Sequence, residues 1–196
     1  RDGAKDILAY RTEGYLPEAV MNFLAFLGWN PGDEREIFMP NEIVQEFELS
    51  HIQTGGAMLN EEKLLWTNRE HLVRMSDEQW LDRFFAYVEM NSDFAEAARK
   101  AGETGADAEN FDLKKAFADR GIACDRGNEI LIKILLGVVR ERASYFGEVK
   151  AMLDNGEFDY FFSSPLSNPE ADGVDTIANF KKLIICPEKM WKNGTG

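Results

Sequence analysis

Bond chemistry in a small protein falls to an activated nucleophile, an imidazole or a loop that cradles phosphate, and this sequence arranges none of them. The two histidines, His51 and His71, stand apart from each other and from any partner motif. An isolated imidazole of this kind is more often a surface or hydrogen-bonded residue than a base or a ligand. Cys124 and Cys186 form no Cys-x-x-Cys pair and have no histidine at metal-ligand spacing, so no zinc site is implied. Both are read as small buried hydrophobes. The chain lacks Gly-x-Gly-x-x-Gly, a loop ending in Gly-Lys-Ser/Thr and a Gly-x-Ser-x-Gly elbow. Its 35 acidic residues offer many carboxylates, but none is marked out as an acid–base couple, and an acidic helix face is ordinarily just solvated. The inference is a chain that binds a partner and does no bond chemistry itself.

The elements available to position such a binding surface are helices. A short one is expected over residues 4–11, closed by Gly14, since glycine accepts the left-handed cap. Pro17 suits a first helical turn, and Val20, Phe23, Leu24 and Leu27 follow at three- and four-residue spacing, the stripe of a core-facing helix that Gly28 ends. Asn30-Pro31-Gly32-Asp33 reads as a turn, 41–47 as a short helix, 54–56 as a loop and 57–59 as a short extended segment. A helix over 61–74 is followed by Ser76-Asp77-Glu78-Gln79, a capping box that opens a helix carrying Trp80, Leu81, Phe84, Phe85 and Val88. A polar connector over 102–110, a helix over 111–120 stopped by Gly121, and one long helix over 128–153 complete the regular part. Residues 163–173 read as a loop, 175–185 as a weaker helix or strand, and 192–196 as a frayed end. The predicted class is mainly α: short helices with little β first, then an α-helical bundle, the change falling near 67–76.

The length of 196 residues and 44% hydrophobic content allow one good core or two modest ones and argue against disorder. The net charge of -13 counts against non-specific binding of polyanions unless the basic residues gather on one face. The longest apolar stretch, 130–139, is interrupted by Lys133 and falls short of the roughly 18 residues of a membrane span. There is no charged-then-apolar leader pattern, and sparse cysteine fits a reducing, cytoplasmic setting. Arg1 in place of an initiator Met suggests a chain cut from a longer one.

Four segments carry a family resemblance. The 14–38 stretch reads Gly-Tyr-Leu-Pro-Glu-Ala, then an apolar helix, then Gly28-Trp29 and Gly-Asp-Glu-Arg-Glu-Ile-Phe, preceded by Tyr10-Arg11. Arg1-Asp2-Gly3-Ala4 looks like the residues following a Lys-Leu-Ser-Lys loop. Lys63-Leu64-Leu65-Trp66-Thr67-Asn68 resembles a Lys-Leu-x-Trp-x-Asn segment. Residues 139–146, Val-Arg-Glu-Arg-Ala-Ser-Tyr-Phe, resemble a later helix. In this order they resemble bacterial-type glutamyl-tRNA synthetases of class I, and the matched part is the C-terminal, tRNA-binding portion of that enzyme.

The resemblance implies an organisation and a set of sites. Residues 1–70 would be a stem-contact region behind the ATP-site signature loop, 71–165 a first helical anticodon-binding subdomain, and 166–196 a linker or the start of a truncated distal subdomain. Arg142, with Arg140 beside it, would meet anticodon bases, because a guanidinium can hydrogen-bond a base edge or stack on it. Lys63, Arg69, Arg74, Lys133 and Lys150 would contact the tRNA backbone, with Asn68 a further polar helix residue near the nucleic acid, and Arg1 would be the last residue of the ATP loop. The partner implied is the glutamate tRNA, with the glutamine tRNA left open, and neither membrane nor DNA; a monomer is expected. ATP and Mg²⁺ would serve the whole enzyme, with no cofactor in this portion. A helical protein–protein interaction module without RNA binding is the alternative. Because the lysines of the signature loop and the His-Ile-Gly-His type motif are absent, the 196-residue chain alone is expected to give no glutamate-dependent ATP–pyrophosphate exchange. Exchange above background would overturn that expectation.

Overall fold

In the computed structural model, residues 5–53, 59–100 and 112–159 are described; all of them lie in the first of two units, Arg1–Phe161. Helices account for nearly all the regular structure, in agreement with the mainly α class, and among these residues the only β feature is an isolated antiparallel bridge between Trp29 and Ile52. The expectations for Arg1 and for residues 54–58, 102–110 and 163–196 fall outside the described residues.

Local chemistry accounts for the helix ends. Asp6 caps α1 (Ile7–Glu13) by accepting from the Leu8 amide, and Gly14 closes it at φ 95°. Pro17 opens α2 (Pro17–Phe26) from the first turn, where its missing N–H costs nothing. Pro40 does the same for α3 (Pro40–Glu46), whose Glu42 reaches back to the Met39 amide. Asn60 caps α4 (Glu61–Arg74). The capping box read at Ser76 is present in both directions, Ser76 N–H to Gln79 Oε1 at 3.0 Å and Gln79 N–H to Ser76 Oγ at 3.2 Å, and starts the 24-residue α5 (Asp77–Lys100). Asp112 caps α6 (Leu113–Ala118) and Asn128 caps α7 (Glu129–Ile134).

The long helix expected over 128–153 is instead broken. After α7 the backbone widens into a π-helical turn, Leu135–Val139, closes with the single-turn α8 (Arg140–Arg142), leaves the helix at Ala143 (φ -72°, ψ 134°), and resumes as α9 (Glu148–Asp154). Apolar periodicity runs through the break and so hides it. The groups that break the helix are distant in sequence. The Ser144 carbonyl accepts from Asn68 Nδ2, the Phe146 amide donates to Gly14 O at 3.2 Å, and the Gly147 amide donates to Glu13 O at 3.0 Å.

Three buried clusters sit around this crossing. Tyr10, Val20, Phe23 and Leu64 join α1, α2 and α4. Trp29, Phe38 and Ile43 pack with Phe26 beneath α3, so that Trp29 pins the turn after α2. Trp80, Phe84, Tyr87 and Phe146 form an aromatic group linking α5 to the 143–147 turn. Asn22 binds the first two regions together. Its Oδ1 accepts from the Phe38 amide at 2.9 Å and from His71 Nε2 at 3.1 Å, while its Nδ2 donates to the Glu36 carbonyl. His71 is thus a satisfied core residue, kept neutral by a burial that pushes its pKa down. Cys124 is likewise buried, its thiol pushed up to about 12 by desolvation.

The crossing leaves no room for a side chain. A Cβ on Gly147 would fall inside van der Waals contact of the Glu13 carbonyl oxygen, which is backbone and cannot swing away. Gly147→Ala is therefore expected to cost about 2–4 kcal/mol. Gly32→Ala, at φ 89° in open space, should lose only about 1–2 kcal/mol from the left-handed backbone, and Gly28→Ala, with nothing within 4 Å, close to nothing. Urea-unfolding midpoints of the three variants check the ranking.

Candidate nucleic-acid interface

Seven described basic residues were singled out in the sequence, and the structure sorts them by what each guanidinium or ammonium already holds. Two are committed to backbone. Arg69, on α4, donates through Nη1 to the Arg142 carbonyl at 3.1 Å and through Nη2 to the Glu141 carbonyl. It thereby satisfies acceptors at the end of α8 that the helix itself leaves open. Arg140 turns inward, its side chain only 18% exposed. It donates to the Met75 carbonyl and to Asp77, bolting the end of α4 to the start of α5. A guanidinium spent in this way is held in place by its partners and is poorly placed to leave for a base.

The others carry ion pairs with carboxylates. Arg142, 54% exposed, meets the half-buried Glu157 at 2.6 Å. Arg74 meets Glu70 one turn earlier at 3.3 Å, and Lys133 meets Glu129 at 3.9 Å. Lys63 holds Glu36 at 2.6 Å while its ammonium stands 3.9 Å from the centre of the Trp66 ring. Lys150 pairs with Asp154 at 2.6 Å, and its hydrogen bond holds that carboxyl below the usual range. The pairs of Lys63, Arg74 and Lys133 are open to solvent and contribute about 0–1 kcal/mol each, so a phosphate can replace the carboxylate there at small cost. The chain's acidic excess is thus partly spent on neutralising these cations.

Geometry brings some of the candidates together. Lys63 and Arg69 lie on α4, and Arg69 reaches the two carbonyls that end α8, placing Arg142 next to it. Lys133 and Lys150 sit on α7 and α9 and pair within their own helices. Asn68, expected as a polar residue near nucleic acid, is instead fully buried at 0% exposure. Its Oδ1 accepts from the Leu16 amide at 2.8 Å and its Nδ2 donates to Ser144. Its neighbour Trp66 is the residue the sequence reading passed over. With Leu64, Thr67, Asn68, His71 and Leu72 all buried, Trp66 points outward and is 38% exposed. The signal was available: the helical wheel of α4 leaves this one aromatic on the wet side.

Elsewhere on the surface, α1, α2 and α3 line an apolar groove of about 810 Å³ that includes Leu8, Val20, Leu24, Val44 and Phe47. It contains no constellation for bond chemistry. Among the described residues no cluster of three or more His, Cys, Asp or Glu could hold a metal ion, and no helix is long and apolar enough to cross a membrane.

Comparison with known proteins shows homology to one group of enzymes. The family model "tRNA synthetases class I (E and Q), catalytic domain" matches residues 1–66. A glutamate–tRNA ligase of Anaeromyxobacter sp. (strain Fw109-5) is 32% identical over 171 residues, 87% of this chain and 28% of that protein. One from Polaromonas naphthalenivorans (strain CJ2) is 46% identical over 83 residues, 42% of this chain and 18% of that protein. The crystal structure of the glutamate–tRNA synthetase from Elizabethkingia anophelis matches with a TM-score of 0.51 and 32% identity, over 76% of this chain and 23% of that one. The chain is homologous to glutamate–tRNA ligases, which are aminoacyl-tRNA synthetases, and spans about a quarter or less of the relatives' length. The sequence reading placed residues 1–70 behind the ATP-site signature loop, as a stem-contact region; the family model that matches residues 1–66 is the one named for the catalytic domain.

The division between committed and exchangeable arginines is measurable. Arg140→Ala should lose about 1–3 kcal/mol, since it orphans backbone acceptors at the α4–α5 joint. Arg142→Ala, which removes one partner of the half-buried Glu157 and no backbone contact, should lose less, about 1 kcal/mol or below. Equal urea midpoints for the two variants would contradict the assignment.

Proposed function

We propose, from the homology to glutamate–tRNA ligases, that this chain is a tRNA-binding part of such a ligase, lying in its C-terminal portion. In this reading residues 1–70 contact the inner side of the L-shaped tRNA. Residues 71–165 are the first helical anticodon-binding subdomain, and 166–196 lead on from it. The whole enzyme joins glutamate to its tRNA with ATP and Mg²⁺ in the cytoplasm, and this part acts as a monomer. The observation that carries the reading is the juxtaposition of Arg69 with the end of α8. Arg69 holds the Glu141 and Arg142 carbonyls, and Arg142 presents an exposed guanidinium there.

The structure bears on which arginine does what. Arg142 is exposed and holds no backbone carbonyl, so it is the candidate for anticodon bases. Arg140 supports it by tying α8 to the α4–α5 joint through Met75 and Asp77. Arg74, Lys133 and Lys150 remain backbone contacts in the proposal, and each must trade an acidic neighbour for phosphate on binding.

A helical protein–protein interaction module is the second reading, favoured by the net charge of -13 and the apolar groove. Salt dependence separates the two. With a glutamate tRNA transcript, affinity should fall as salt rises, because each neutralised phosphate releases counterions. Arg142→Ala should weaken binding roughly tenfold and reduce the preference over anticodon-substituted transcripts, a loss in the range of one good base contact. Unchanged affinity and preference would remove Arg142 from the site. No binding by the unsubstituted chain would favour the interaction module.

A further inference from the structure

We infer that Trp66 is a stacking platform for an unpaired nucleobase of the bound RNA. The inference rests on the tRNA-binding reading and adds to it a residue and a mode of contact. The case begins with burial. Five side chains of α4 are buried, including Asn68 and Thr67 directly after Trp66. The helix is thus anchored by one face, and the opposite face is held out to solvent. On that face stand Glu62, Arg69, Glu70 and Val73, and Trp66 in their midst keeps 38% of its surface open to solvent, with the Lys63 ammonium against its ring.

Its neighbours have the composition of a single-strand contact. Lys63 lies one turn before it, with its ammonium 3.9 Å from the ring centre. Arg69 lies one turn after it and is locked in place by the Glu141 and Arg142 carbonyls. The same contact brings the end of α8, and with it the exposed Arg142, alongside α4. An aromatic ring between cations is how proteins hold unpaired bases: the cations follow the backbone and the ring stacks on a base face regardless of its identity. The ring is also steady, because Asn68, two positions on, ties its helix to both Leu16 and Ser144. A mobile aromatic would lose that advantage to entropy.

Measuring affinity for a glutamate tRNA transcript across salt tests this. Trp66→Ala should weaken binding about tenfold or more, the loss of one stacked base, without changing the slope against salt. Lys63→Ala should instead lower the slope by about one phosphate contact. Trp66→Phe should recover most of the affinity and Trp66→Leu should not, since only the former keeps a π-face. In the Trp191→Phe chain, whose Trp29 and Trp80 are buried, RNA should shield tryptophan fluorescence from iodide, a readout that needs no change at Trp66. If the unsubstituted chain binds tRNA while Trp66→Ala binds equally well, or Trp66→Leu matches Trp66→Phe, or iodide quenching is unaltered, the stacking inference is wrong and the tRNA reading stands. If the unsubstituted chain binds no tRNA, both fall.

Discussion

Two backbone segments more than 130 residues apart touch without a side chain between them, and the rest of the molecule is arranged around that contact. Gly14 takes φ 95°, and a Cβ there would come within 2.9 Å of the Gly147 nitrogen, the Phe146 Cβ and the Tyr87 ring. The amides of Phe146 and Gly147 donate to the Gly14 and Glu13 carbonyls. The end of α1 is finished by Tyr87 and Asn91 of α5, which donate to the Thr12 carbonyl. Tyr15 stacks on Tyr145 at 4.8 Å, with planes 7° apart. Carbonyls that a helix end leaves open are thus satisfied by groups more than 70 residues away in the chain.

Asn68 is the second half of the same constraint. A buried amide must use both its oxygen and its nitrogen or carry a desolvation cost. Here it spends one on Leu16, the residue before α2, and the other on Ser144, in the turn after α8. The α4 helix is therefore fixed in rotation, and its outward residues are fixed with it. Lys63, Trp66 and Arg69 face the solvent because Leu64, Asn68, His71 and Leu72 cannot. The proposed RNA contact is in this sense a consequence of where one asparagine had to go.

Charge is distributed in a way compatible with the anionic partner proposed for this acidic chain. The cations near the proposed contact are not bare: Lys63 sits against the exposed Glu36, where an ion pair has little net worth, and Arg142 against the half-buried Glu157. Those whose partners are backbone carbonyls, Arg69 and Arg140, hold elements together. Exchange of partner is open to the first group and closed to the second.

Much of this was legible in the residues. The mainly α class, the caps at Gly14, Pro17 and Ser76, the core stripe of α2 and the homology carried by 14–38 all follow from local rules, because a cap or an amphipathic stripe involves residues three or four apart. The break at 143–147 did not follow, since its causes are the carbonyls of Glu13 and Gly14 and the amide of Asn68, which no local window contains. The roles of the arginines were equally hidden: Arg140 and Arg142 are two residues apart and alike in type, yet one faces a helix joint and the other solvent. The sequence by itself determined which elements form and to which proteins the chain is related. Only the tertiary structure decided which polar side chains are spent on holding those elements together and which remain to meet a partner, because that depends on acceptors brought close by folding.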